Sequence, residues 1–170
     1  MVTPALLEGL RELYQGEVLG EVIFDRLLPK AENDDQRYKL AIMLQLETET
    51  KARLRPLAMR WGLPLSEDPV ERGKAERAAQ AMSDMPWTEK IRAIHNDLDQ
   101  NFVPRYIEIA ALADALDDDE DADIIRSMVT HERALHELTR REISGEAHRA
   151  AEPVEKLLRY PLEHPAAKAG

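Results

Sequence analysis

An all-α four-helix bundle is the fold the sequence predicts, and three observations carry it. Ala, Leu, Glu and Arg are abundant while glycine is scarce, a composition that favours helix throughout. Apolar residues recur at helical spacing over four long stretches. No stretch alternates with the period of a strand strongly enough to compete. At 170 residues the chain is long enough for one domain with a sizeable core.

Thr3-Pro4 opens the first helix, a hydroxyl cap followed by proline at a position where its missing N–H costs nothing. Leu6, Leu10, Leu13, Phe24, Leu27 and Leu28 continue the stripe until Pro29 ends it. Asn33, Asp34 or Asp35 can cap the second helix, whose stripe runs through Leu40, Met43, Leu44, Leu54, Leu57 and Trp61 to a stop at Gly62. Pro56 lies inside that run and is expected to bend it. From Leu63 to Pro86 the pattern weakens into a long connection, with a short helix expected between Pro69 and Met82. The third long helix starts near Trp87-Thr88 and turns Ile91, Ile94, Leu98, Phe102, Ile109, Leu112 and Leu116 inward, with a kink expected at Pro104. The acids from Asp117 to Asp123 precede and begin the fourth helix, where the helix dipole favours them. They do not form a calcium loop, which needs glycine at its sixth position and glutamate at its twelfth. Helix four reaches Ile143 and Gly145 stops it. The expected division is therefore a bundle over 1–145 and a C-terminal extension over 146–170, with a short helix from Glu152 to Tyr160 and a frayed PLEHPAAKAG tail.

Several function classes drop out. The chain has no cysteine, so disulfides, thiolate metal sites and cysteine nucleophiles are absent. Net charge −10 argues against nucleic-acid binding, because a phosphate backbone demands a basic surface. No apolar run approaches the roughly 20 residues of a membrane span and the first residues lack a signal-peptide layout, so a cytoplasmic protein is expected. There is neither a glycine-rich phosphate loop nor a nucleophile elbow. HERALH, from His131 to His136, approximates the zinc motif His-Glu-x-x-His, but its second histidine comes one residue late.

What the stripes do contain is acid. Glu17 shares a face with Leu10, Leu13 and Phe24, and Glu21 lies one turn further on. Glu47 is flanked by Met43, Leu44, Leu54 and Leu57; Glu108 sits between Leu98 and Leu112 with Tyr106 nearby; Glu132 is surrounded by Ile125, Met128, Val129 and Leu135. Counted along their helices at about 1.5 Å per residue, these four glutamates fall within roughly 6 Å of one level, near mid-bundle. Four buried carboxylates repel one another unless they are protonated or neutralised by cations, and two divalent metals would neutralise them.

In this constellation and in its long connection between helices two and three, the chain from about Thr3 to Gly145 resembles the ferritin-like di-iron carboxylate superfamily. The pattern of that superfamily is one glutamate from each of two helices and a Glu-x-x-His pair from each of the others. Carried over, Glu17 and Glu108 are the single glutamates, and Glu47 and Glu132 begin the pairs. The chain departs from the pattern in both pairs. Thr50 and Lys51 follow Glu47 where a histidine is due, and Leu135 stands three residues after Glu132, with His131 before it and His136 one position late. Glu132 and His136 still share a helix face, and His95 is a further source of nitrogen.

The resemblance implies a ferritin-like bundle holding two iron or manganese ions for oxidase, oxygenase or ferroxidase chemistry on a small molecule or on iron. In that reading Glu47 and Glu132 bridge the metals, Glu17 and Glu108 terminate the cluster, and His136 or His131 donates nitrogen. Glu21 is an alternative to Glu17. The rival is a metal-free interaction or assembly module, its acids locked by Lys51 and by arginines such as Arg53 or Arg105. Trp61, Met82, Met85 and Trp87 gather around the connection, where one bundle has no obvious place for them, and so predict a homodimer.

Overall fold

The computed structural model describes residues 1–164, and among them every regular element is helical. Helix α1 (Pro4–Leu27) begins at Thr3, whose hydroxyl accepts from the Leu6 N–H at 3.2 Å, as the Thr-Pro signal predicts. A single 3-10 turn over Leu28–Lys30 follows, and Asn33 caps helix α2 (Asp34–Arg60) by accepting from the Gln36 N–H. Pro56 does not end α2, which runs through it to Arg60. Gly62 and Gly145 take φ of 75° and 87° just past the cap residues Trp61 and Ser144, which is why glycine stops the helices that end at Arg60 and Ile143.

The connection contains helix α3 (Pro69–Met82), capped by Asp68. The third stretch divides into α4 (Trp87–Asp97), a π-helical turn (Leu98–Phe102) and α5 (Val103–Leu112). Pro104 explains the wide turn: in a regular α-helix its ring would meet the Gln100 carbonyl, and the wider spacing relieves that clash. Helix α6 (Asp119–Ile143) is capped by Asp118 and carries Asp119, Glu120 and Asp121 in its first turn. The C-terminal helix α7 is shorter than expected, Glu152–Glu155, yet Ala150 and Val154 are fully buried in the same core as α1, α2 and α6. Of the expected frayed tail, residues 161–164 form no regular element and the rest lies outside the described residues.

Helix α1 packs on α2 and α3, α6 packs on α4 and α5, and contacts from α2 to α6 and from α1 to α5 close the arrangement. The apolar interior falls into two clusters. One joins Leu10, Leu13 and Val18 to Leu54, Leu57, Tyr106 and Met128. The other joins Val22, Phe24 and Leu27 to Met43, Leu46, Leu98 and Leu135. Between them α1, α2 and α6 each contribute a buried polar segment, and the site lies there.

Trp61 donates its indole N–H to Asp121 at 3.0 Å, Trp87 donates to Glu142 at 2.7 Å, and Met82 is buried, so these side chains find partners within one chain. No helix among the described residues is long and apolar enough to cross a membrane.

Candidate metal centre

Glu17, Glu47, His131 and Glu132 meet between the two apolar clusters, at 0%, 4%, 3% and 3% exposure. Helix geometry explains how adjacent residues of α6 serve together: successive positions differ by about 100°, and a helix buried on a broad face turns both inward. His131 Nε2 stands 3.5 Å from a Glu47 oxygen and 3.7 Å from a Glu17 oxygen, too far for a hydrogen bond to either. One donor atom each from Glu17, His131 and Glu132 fall within 4.8 Å of one another. Both Glu17 oxygens, Glu132 Oε2 and His131 Nε2 are buried with no hydrogen-bond partner.

The other imidazole nitrogen is held. His131 Nδ1 lies 3.0 Å from the Thr50 hydroxyl. Thr50 occupies the position where the superfamily pattern would put a ligating histidine, so the departure supplies an orienting contact to the histidine of another helix.

Burial dominates the electrostatics. It drives the Glu17 carboxyl well above the usual carboxylate range, with Glu47 and Glu132 adding to the shift. It raises Glu132 to about 8, His131 opposing and Glu47 reinforcing. Burial pulls the His131 imidazole down, but the facing Glu47 carboxylate outweighs it and the net shift is upward. The Tyr106 phenol, buried beside the carboxylates, is raised well above its ordinary value by desolvation and then by Glu132 and Glu17. Protons are held here because negative charge has no other relief.

No lysine or arginine among the described residues supplies that relief. Lys51 pairs with Glu21 and reaches Glu67 at 3.4 Å, and Arg105 pairs with Glu12 and Glu108. Lys51 and Arg105, expected to lock the acids of a metal-free core, thus pair with Glu21, Glu67, Glu12 and Glu108 instead. Comparison of the chain with protein-family models, curated proteins and solved structures returned no match.

Two of the expected ligands lie outside the cluster. Glu108 is exposed and forms an ion pair with Arg105 at 2.8 Å, because α5 turns Tyr106 and Ile109 inward and leaves the position between them facing solvent. His136 faces away toward α4, with Nε2 3.2 Å from Asp99 and its ring stacked on His95 at 4.4 Å. His131 is thus the histidine of the cluster, while His95 and Glu21 are both occupied outside it.

The sequence reading passed over two glycines. A Cβ at Gly20 would sit 2.3 Å from the Glu47 carboxyl carbon, and one at Gly16 would sit 2.1 Å from the Tyr106 hydroxyl. Helix α1 lacks side chains at these two points because groups from α2 and α5 fill the space. The signal was legible: in a chain with seven glycines, two lie four apart inside one helix and bracket Glu17.

Proposed function

We propose that Glu17, Glu47, Glu132 and His131 hold a divalent transition metal, iron or manganese, in a ferritin-like four-helix bundle whose role is dioxygen-dependent oxidation. The observation that carries this reading is the convergence of buried donors with no hydrogen-bond partner: both Glu17 oxygens, a Glu132 oxygen and His131 Nε2. Buried polar groups are almost always satisfied, and four that are not, all of metal-ligating type on three residues whose donor atoms lie within 4.8 Å of one another, fit an ion. Mixed carboxylate and imidazole donors suit iron and manganese better than magnesium.

The residues then have distinct parts. With Nδ1 held against the Thr50 hydroxyl, His131 would present Nε2 to the ion. Glu17, the most buried acid, and Glu132 complete the nearest set, with Glu47 beside His131 as a further carboxylate. Tyr106 can hold or deliver a proton at its hydroxyl, which has no other partner. The ion, when bound, supplies open positions at which dioxygen is reduced. With Glu108 and His136 outside the cluster, three carboxylates and one imidazole favour one ion over the two of the superfamily pattern.

Elemental analysis of protein purified without chelator tests this. Iron or manganese near one equivalent per chain is expected, lost from Glu17→Gln and Glu132→Gln and retained in Glu108→Gln. Protein that stays metal-free after anaerobic loading, or equal metal in all three variants, contradicts the assignment.

A further inference from the structure

A cavity of about 320 Å³ lies against the cluster, bounded by α1, α2, α3, α4, the π turn and α6. Glu47 and Glu132 form part of its wall, whereas Glu17 and His131 do not line it. The cluster is therefore reached from one side, past these two carboxylates. The lining also includes Ala81 on α3 and Asp97 on α4, both exposed, so the cavity opens to the surface between these helices.

Its walls are apolar along their length. Leu19, Ile23, Phe24, Leu98, Phe102 and Leu135 provide the bulk. The space itself comes from small residues, with Ala78 and Ala81 on α3, Ala93 on α4, and Gly16 and Gly20 on α1. Helix α3 thus does more than bridge α2 and α4: it roofs the cavity with alanines. Among the lining residues the ionisable ones are Glu47, Glu132 and Asp97, all acids.

We infer that this cavity takes an uncharged, largely apolar organic molecule, inserted from the α3–α4 opening so that its leading end abuts Glu47 and Glu132. As a site of binding the inference stands on the cavity alone; as the site of the substrate it rests on the metal reading above. Size sets the ligand: an apolar cavity of about 150 Å³ accepts benzene, so roughly twice that volume suits a fused two-ring aromatic or an alkyl chain of similar bulk. Charge sets its polarity. Asp97, Glu47 and Glu132 oppose an anion, and the otherwise apolar lining makes the desolvation of any charged group costly.

The test uses three probes of one shape: naphthalene, 1-naphthoate and 1-naphthylmethylamine, titrated by fluorescence into the full chain with and without manganese(II). Naphthalene should bind saturably at one site, and naphthoate at least tenfold more weakly. Ala93→Phe, which places a ring in the cavity from α4, a helix that carries none of the cluster residues, should weaken naphthalene at least tenfold while keeping its melting transition and its manganese content; Ala78→Leu should act in the same direction. Absence of saturable naphthalene binding, undiminished binding in both filled variants, or tighter binding of the amine than of naphthalene would each overturn the inference. The metal is read independently: naphthalene bound by a chain that takes no manganese supports the cavity and refutes the metal, and manganese bound by a chain that ignores naphthalene does the opposite.

Discussion

Glu17 is a fully buried acid whose two oxygens lack hydrogen-bond partners, and such a residue makes the stability of the metal-free chain depend on pH. Glu132 shows the sign most clearly. Its carboxyl is raised from 4.5 to about 8, so the folded state keeps its proton while the unfolded chain releases it. Stability is therefore lost as pH climbs from about 4.5 to about 8. His131, raised above 6.5, adds stability at low pH that is lost as pH rises through its folded-state value. Chelator-treated Glu132→Gln should consequently melt close to wild type at pH 5 and several degrees above it at pH 8.5, a gain of roughly 1–3 kcal/mol. A constant difference across that range would contradict the burial of a titrating acid. Gly20 gives a steric counterpart. Gly20→Ala drives a methyl into the Glu47 carboxylate and should weaken manganese binding at least tenfold by calorimetry. Gly73→Ala on α3, where a Cβ meets only the end of Arg77 at 3.4 Å, should leave binding alone and stabilise by about 0.5–1 kcal/mol.

Helices α2 and α6 meet at the site through Thr50 and His131. Thr50→Val keeps the shape and removes the hydroxyl, so metal affinity should fall by about 10–100-fold with the fold intact; unchanged affinity would show that the imidazole needs no such support. Lys51, one residue on, belongs to a different interaction. Lys51→Met should cost about 1–2 kcal/mol in denaturant melts, because Glu21 loses its partner at 18% exposure, yet leave metal binding in place. Much of this was legible along each helix. The Thr-Pro start of α1, the short α3, the stops at Gly62 and Gly145 and the inward placing of Glu17, Glu47 and Glu132 follow from periodicity and cap chemistry. The choice of His131 over His136, and the exposure of Glu108, were not legible, since both depend on how far α6 and α5 rotate against their neighbours. The π turn before Pro104 adds its own twist to α5, and single-helix spacing cannot register it.

Taken together, the helices enclose two apolar clusters with a band of acid between them. That band is a conflict in an otherwise consistent chain, and such conflicts concentrate where function is kept. The neighbouring cavity gives the band an approach from solvent, so the conflict and the route to it lie together. An ion that binds only the folded state resolves it and stabilises by mass action, by about 2.7 kcal/mol at a hundredfold excess over its dissociation constant. The most direct measurement is a thermal melt of chelator-stripped protein at pH 7.5, carried out anaerobically with iron(II), manganese(II) or magnesium. Iron(II) and manganese(II) should raise the melting temperature by about 5–10 °C and magnesium by much less, with the rise abolished in Glu17→Gln. A melting temperature indifferent to all three ions, or a rise that survives in Glu17→Gln, would contradict a metal centre at this cluster.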